Sequence, residues 1–139
     1  MISLRLATAN DIEAICSFDH IAQQETQRRE FITRSVVAVH CHVAVAGDQI
    51  AGYGVLEHSF FGYAFISMLY VHPDYRRRGV GTKLMQHLQS LCSTSKLFTS
   101  TNLSNLPMQS LLARLGYALS GVVHNIDEGD PELIYFKPL

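Results

Sequence analysis

Apolar residues recur along the chain at two spacings, which predict strands and helices. Alternating or continuous apolar runs predict strands, and apolar residues three and four apart predict helices. The predicted strands cover residues 2–6, 37–46, 49–57, 63–71, 96–101, 117–123 and 133–137. The predicted helices begin after Asn10 and cover residues 21–35, 82–92 and 105–116. The order βααβββαβαββ indicates a mixed α+β sheet with helices on its faces.

The strand predicted at residues 63–71 is almost wholly apolar, as expected for a strand buried on both faces of a sheet. It is followed by Arg76-Arg77-Arg78-Gly79-Val80-Gly81-Thr82, directly before an amphipathic helix. Glycines let backbone N–H groups approach a ligand, and the first turn of a helix has unpaired N–H donors that favour a phosphate. The arginines and the Thr82 hydroxyl add donors. The segment is predicted to bind an anion, or else to form a tight turn with solvated arginines.

The spacing of the glycines excludes two other nucleotide-binding loops. A P-loop requires GxxxxGK[ST], which Gly79-Val80-Gly81-Thr82-Lys83 does not match. A dinucleotide-binding fingerprint requires GxGxxG, and Leu84 stands where its third glycine would be. The segment therefore belongs to neither of these motif classes.

Composition limits the classes of protein that the sequence fits. With 139 residues, 47% of them apolar and 17% charged, the chain fits one globular domain over residues 1–139. The formal net charge of -1, without a wider basic face, excludes general affinity for nucleic acid or anionic membranes. No apolar stretch reaches the ~20 residues that span a membrane, and the N-terminus lacks the pattern of a signal peptide. We therefore expect a soluble, cytoplasmic protein.

The cysteine and histidine positions argue against disulfides and metal. Cys16, Cys41 and Cys92 are far apart and match neither a disulfide framework nor a CxxC motif. His40 and His42 lie on one face of a predicted strand, but no third ligand is nearby. We expect a structural role for both histidines and no metal.

Two segments resemble the motifs of the GNAT superfamily of N-acetyltransferases. Residues 69–84 are similar to its central motif, a strand ending V-x-P followed by [QR]-x-x-G-x-[GA] at a helix start. Residues 105–117 are similar to its second motif, an Asn-led helix ending G-[FY]. The resemblance implies a three-layer α+β fold, with helices on both faces of a mixed, mostly antiparallel sheet. It also implies transfer of an acetyl group from acetyl-CoA to a primary amine by direct attack.

The resemblance further implies roles for individual residues. The main chain of Leu69, Tyr70 and Val71 would contact the pantetheine arm of acetyl-CoA. Asn105 matches the family's asparagine, which usually faces the cofactor or the acceptor. The pyrophosphate would be held, mainly through backbone N–H groups, by Arg76, Arg77, Arg78, Gly79, Val80, Gly81 and Thr82.

Two departures from the family's pattern leave the acid and the base of the reaction open. Leu112 stands where the family usually carries the tyrosine that protonates the thiolate, and Ser67 stands where many members carry a glutamate. Glu57 is the substitute base that we expect, with a solvated carboxylate as the alternative. Tyr70 is the substitute acid, with a packing role as the alternative. The departures also leave open a non-catalytic module that binds acyl-CoA as a sensor or regulator.

The sequence does not identify the acceptor. We expect a small-molecule amine rather than a protein, and a chain that is a monomer or a homodimer. The densest acidic cluster, at residues 127–132, forms either a solvated turn or a surface that attracts a cationic acceptor.

Overall fold

The computed structural model describes residues 1–139. Its strands are β1 (Ile2–Leu6), β2 (Cys41–Ala46), β3 (Gln49–Phe60), β4 (Tyr63–Val71), β5 (Lys96–Asn102), β6 (Ala118–Val123) and β7 (Glu132–Pro138). Its helices are α1 (Ile12–Phe18), α2 (His20–Gln24), α3 (Thr26–Val37), α4 (Val80–Ser90) and α5 (Leu106–Arg114). None of these helices has both the length and the apolar character needed to span a membrane.

The seven strands are hydrogen-bonded in the order β1-β2-β3-β4-β5-β7-β6. The pairs β1–β2, β2–β3, β5–β7 and β6–β7 are antiparallel, and β4–β5 is parallel. The predicted fold class, an α+β fold with a mixed and mostly antiparallel sheet, is therefore confirmed. The chain forms two compact units, Met1–Leu56 with Met68–Leu91, and Glu57–Ser67 with Cys92–Leu139, called here the first and second units.

The prediction of one helix at residues 21–35 is wrong in one respect, because the structure has two helices there. Glu25 is extended, with φ -127° and ψ 120°, and separates α2 from α3. The carboxylate of Asp19 accepts the N–H groups of Ile21 and Ala22 and so caps α2 as a separate element.

The strand predicted at residues 37–46 begins later, at Cys41, because α3 continues through Val37. Val39 then adopts φ 63°, and the N–H of His40 bonds to the carbonyl of Ser35 at 2.9 Å. This is the bonding of a helix C-terminal motif in which glycine usually takes the left-handed position. His40 therefore precedes the strand, and only His42 lies in it.

In the first unit, helices cover both faces of the sheet. One face of β2 and β3 packs against α1 and α3 through an apolar cluster that includes Ile15, Ile32, Val43, Tyr53 and Val55. The other face packs against α4 through Ala44, Ala51, Val80 and Leu84. Val43 and Ala44 are neighbours on opposite faces, as the period of two in a strand requires.

Two glycines let α4 lie close to β3. A Cβ at Gly52 would stand 2.9 Å from the Tyr70 carbonyl oxygen and 3.1 Å from a Leu84 methyl carbon. A Cβ at Gly54 would stand 2.8 Å from a Leu88 methyl carbon. The glycines therefore set the distance between the helix and the sheet.

In the second unit, β4 and β5 pair over three residues each, Ala64–Ile66 with Leu97–Thr99. The Thr99 hydroxyl donates to the Ile66 carbonyl at 2.8 Å where this pairing ends. The strands β3 and β4 are joined by Phe61 and Gly62, both with positive φ, as a two-residue turn of type I′ requires.

Candidate active site

The segment between β4 and α4 has the geometry of an anion-binding loop. Arg77 and Gly79 adopt left-handed φ values of 64° and 77°. Gly79 is the N-cap of α4 and offers no side-chain cap, and the first backbone bond of the helix joins the Lys83 N–H to the Gly79 carbonyl at 3.0 Å. The N–H groups of the first turn therefore have no partner within the helix. Such N–H groups bind phosphate oxygens well.

The three arginines of the loop are exposed, and none forms an ion pair. Arg76 donates its Nε–H to the Val71 carbonyl at 3.2 Å and lies 5.6 Å from the centre of the Tyr70 ring. Arg78 lies 5.6 Å from the centre of the Tyr75 ring. Aromatic rings thus support two of the guanidinium groups while leaving their charge available to an anion.

The end of β4 presents its residues to both faces of the sheet. Leu69 and Val71 pack with the cluster on the α4 face, whereas Tyr70 packs with the cluster on the α1–α3 face. All three are partly buried. The phenol of Tyr70 therefore lies on the opposite face of the sheet from α4.

Tyr70 contacts the junction between α1 and α2. Its oxygen accepts the backbone N–H of His20 at 3.3 Å and is hydrogen-bonded to Nδ1 of the same residue. The ring stacks on Tyr53 and touches Phe18, with 6.1 Å between ring centres in both cases. Sequence reasoning missed His20, which lies 50 residues from Tyr70 and in no recognised motif.

Beside this pair lies a buried polar cluster centred on Asp19, which is fully buried. Its Oδ2 accepts the Tyr53 hydroxyl at 2.6 Å and an Arg28 N–H at 2.7 Å, while its Oδ1 caps α2. Burial raises the pKa of the Tyr53 phenol, which therefore remains a donor at neutral pH. The cluster fixes the position from which His20 extends. None of its members was predicted.

A cavity of about 390 Å³ in the first unit lies next to Phe18 and His72. Two carboxylates line it, Asp11 and Asp48. Asp11 is held by the guanidinium of Arg5 at 2.8 and 3.0 Å, and that hydrogen-bonded pair keeps the pKa of the carboxyl below its usual value. Asp48 is exposed and forms no ion pair, so it leaves one uncompensated negative charge at the cavity.

The remaining predicted residues lie in the second unit. Glu57 is partly buried near the end of β3 and forms no ion pair. Asn105 caps α5, because its Oδ1 accepts the Met108 N–H at 3.2 Å. Leu112 is fully buried, and the Ser67 hydroxyl is buried without a hydrogen-bond partner. The two positions that depart from the family's pattern therefore offer no exposed acid or base.

Comparison with known proteins identifies the class of enzyme. The sequence model of the Acetyltransferase (GNAT) family matches residues 7–117. The chain belongs to this family and is an acetyl-CoA-dependent acyltransferase. No match is found among curated proteins.

Solved structures give the same family. An acetyltransferase of the GNAT family from Bacillus cereus is 33% identical, with a TM-score of 0.91, and the match covers 99% of this chain and 97% of that one. The fold is also that of the ribosomal-protein-S18-alanine N-acetyltransferase of Escherichia coli, at 17% identity, TM-score 0.79 and coverage of 99% and 94%. The protein yncA from Salmonella typhimurium, solved with its cofactor acetyl-CoA, is similar at 16% identity, TM-score 0.77 and coverage of 99% and 94%.

Proposed function

We propose that the protein, acting as one domain over residues 1–139, transfers an acetyl group from acetyl-CoA to a primary amine of a small molecule. The observation that carries the proposal is the left-handed Gly79 at the N-cap of α4. It leaves the first N–H groups of the helix open beside three exposed arginines. This donor set fits a pyrophosphate, which needs several N–H donors and positive charge.

The segment from Arg76 to Thr82 would hold the pyrophosphate, and the main chain of Leu69, Tyr70 and Val71 would hold the pantetheine arm. Asn105 would face the cofactor or the acceptor. Support for the first assignment comes from the open N–H groups of Val80, Gly81 and Thr82. The assignment of the strand is supported by its position directly before the loop. The hydrogen bond from Arg76 to the Val71 carbonyl joins the loop to the end of the strand.

The reaction requires removal of a proton from the amine, stabilisation of the negative charge that develops on the acetyl oxygen, and protonation of the leaving thiolate. Glu57 is our candidate base, through water, and the main-chain N–H groups near Val71 are our candidates for the oxygen. Tyr70 is the candidate acid, and its partly buried phenol supports the assignment, because it already exchanges hydrogen bonds with His20. Acetyl-CoA supplies the acyl group and the thiol leaving group.

The cavity beside His72 suits the charged end of an extended cationic acceptor, since Glu57, the candidate base for the reacting nitrogen, lies seven residues along β3 from Ile50, roughly 23 Å away. Asp48 contributes an unpaired carboxylate there, and Phe18 contributes an apolar wall. An acceptor that carries a positive charge apart from its reacting amine would be attracted by the carboxylate, while the reacting nitrogen is neutral. A small molecule fits a cavity of about 390 Å³.

The second candidate is a non-catalytic module that binds acyl-CoA. The observation in its favour is that Leu112 is fully buried and Ser67 offers only a buried hydroxyl. Neither position can supply the acid or base that the family usually carries there. This candidate predicts binding of acetyl-CoA without turnover.

Titration calorimetry with acetyl-CoA tests the cofactor assignment. We expect binding to the wild type and an affinity about tenfold to hundredfold lower in Gly81→Glu, because the new carboxylate would repel the pyrophosphate. Gly121→Glu is the matched control, since a side chain at Gly121 meets open space in β6 and should leave affinity unchanged. Equal affinity in all three proteins would refute the assignment of the loop.

Thiol release across a panel of primary amines tests catalysis. We expect release with at least one cationic amine, and a lower rate with an altered pH profile in Glu57→Gln. Binding of acetyl-CoA without release on any amine would favour the non-catalytic module. An unchanged pH profile in Glu57→Gln would remove Glu57 from the mechanism.

A further inference from the structure

The contact between His20 and Tyr70 joins the solvent to the strand proposed to hold the thioester. His20 is the first residue of α2 and its side chain is exposed, whereas Tyr70 is partly buried. Two contacts link them, from the backbone N–H at 3.3 Å and from the imidazole Nδ1 to the phenol oxygen. One side of the pair thus faces water, and the other side faces the interior.

The position of His20 is fixed by buried groups. The Asp19 Oδ1 accepts the N–H groups of Ile21 and Ala22 at 3.0 and 3.2 Å and so anchors the first turn of α2. Its Oδ2 is occupied by Tyr53 and Arg28. The Asp19 carboxylate is therefore hydrogen-bonded to groups other than His20, and the imidazole is hydrogen-bonded to the side chain of Tyr70.

We infer that His20 is a proton-relay residue that returns a proton from solvent to Tyr70 after Tyr70 has protonated the leaving thiolate. The inference rests on the proposed acetyl transfer. With its hydrogen on Nδ1, the imidazole donates to the phenol oxygen, and the phenol keeps its own hydrogen for the thiolate. The backbone N–H of His20 is a second donor to the same oxygen, so both donors stabilise the phenolate that forms.

The protons balance in this sequence. The amine nitrogen bonds to the acetyl carbon, the C–S bond breaks, and the sulfur takes the electron pair and the phenol proton of Tyr70. The amine loses its proton to the base and then to water. Nδ1 of His20 passes its proton to the Tyr70 phenolate, and Nε2 takes one from water. Exchange of the exposed imidazole with water then moves the hydrogen back to Nδ1. The products are the amide and the free thiol, and the proton that returns to Tyr70 replaces the one that it gave.

Other groups around Tyr70 have different roles. Tyr53 from β3 stacks on the ring, but its hydroxyl donates a hydrogen bond to Asp19. Arg76 lies over the ring as a fixed positive charge. Phe18 from α1 is apolar. Among the groups packed against Tyr70, His20 is the exposed imidazole, which has one nitrogen that faces the phenol and a second that can face water.

The test compares His20→Asn with the wild type. The Asn amide can still donate a hydrogen bond to Tyr70, but it cannot carry a proton. We expect kcat to fall about 10²-fold, the range of general acid–base effects, with the acetyl-CoA Kd unchanged. Added imidazole should restore much of the lost kcat. His58→Asn, an exposed histidine on β3 in the second unit, should change neither constant.

A double-mutant cycle with Tyr70→Phe tests whether His20 acts through Tyr70, and rescue by imidazole separates a relay from a structural role. Because His20 acts only through Tyr70, we expect His20→Asn to have no further effect on kcat in the Tyr70→Phe background. Additive losses, an unchanged kcat in His20→Asn, or a loss that imidazole does not restore would overturn the inference. These outcomes require an active wild type. A wild type that releases no thiol with any amine would instead count against the proposed function.

Discussion

The two faces of the sheet in the first unit hold their helices by different means. On the α1–α3 face, large side chains such as Tyr53 and Tyr70 pack around a buried carboxylate, Asp19. On the α4 face, small residues of the central strands lie beneath the helix, namely Ala44, Ala51 and Gly52. One face is therefore built from side-chain contacts and the other from close backbone approach.

The two faces also differ in the groups that they could contribute to the reaction. Close approach on the α4 face places main-chain N–H groups at the end of β4, where the charge of the helix N-terminus favours a phosphate. On the α1–α3 face, Asp19 anchors the first turn of α2, and the His20 imidazole at that turn contacts the phenol of Tyr70, the pair that we propose to relay a proton. Substitutions on the two faces should consequently change different properties of the protein.

The largest effect is expected from Asp19→Ala on the α1–α3 face. The change removes the acceptor of Tyr53, leaves Arg28 with its charge partly buried and unpaired, and uncaps α2. We expect the free energy of unfolding to fall by about 3–5 kcal/mol, as for other broken buried pairs. Urea unfolding followed by circular dichroism measures this loss.

Glu13→Ala is the matched control, because Glu13 forms an exposed ion pair with Arg29 at 3.3 Å. Its removal should cost no more than about 1 kcal/mol. If Asp19→Ala were no more destabilising than Glu13→Ala, the buried cluster would not be what holds the α1–α3 face together.

On the α4 face, the next effect concerns acid stability. His42 on β2 contacts His87 on α4, with 3.2 Å between Nδ1 and Nε2. Burial, together with the nearby His87 and His40, lowers the pKa of His42 from 6.5 to about 4. The unfolded chain therefore takes up a proton at a higher pH than the folded one. Stability should be complete above pH 6.5 and fall by about 3 kcal/mol as the pH is lowered to 4.

Urea unfolding at a series of pH values from 7 to 4 measures this slope. Near pH 4 the unfolded chain also begins to protonate Asp11, whose ordinary pKa is 3.8, but this contribution is the same in the wild type and in His42→Gln and does not alter the difference between them. In His42→Gln the slope should be much shallower, while the exposed His124→Gln should keep it. A wild-type slope that survives in His42→Gln would assign the acid sensitivity to another group.

The elements of the fold were predictable from apolar spacing, and their ends were less so. Strands and helices lie where the pattern predicts them, because each buries one face against the next element. The end of α3 was not predictable, because Val39 takes a left-handed φ of 63°. A glycine at this position would have indicated the end of the helix, whereas a valine does not. The break at Glu25 depends on the cap that Asp19 provides, and only the fold establishes that cap.

The two parts of the candidate site differ in the same way. The loop proposed to bind the pyrophosphate is local in sequence, so Gly79 and its neighbours indicated it directly. Tyr53 meets Asp19 across 34 residues, and Tyr70 meets His20 across 50. No spacing rule joins residues so far apart, and Tyr70 was therefore predicted without its partner.

The smallest of the three effects should come from Gly52→Ala on the α4 face. The added Cβ would stand 2.9 Å from the Tyr70 carbonyl oxygen, which is backbone, and close to Leu84 and Val80 on α4. We expect the free energy of unfolding to fall by about 1–3 kcal/mol through overpacking, as urea unfolding would show. Gly121→Ala is the control, because its Cβ meets open space and should change stability by less than about 1 kcal/mol. Since the Cβ pushes on the start of α4, acetyl-CoA affinity should fall in Gly52→Ala as well, whereas equal stability and affinity in the two alanine variants would mean that close backbone approach does not position the loop.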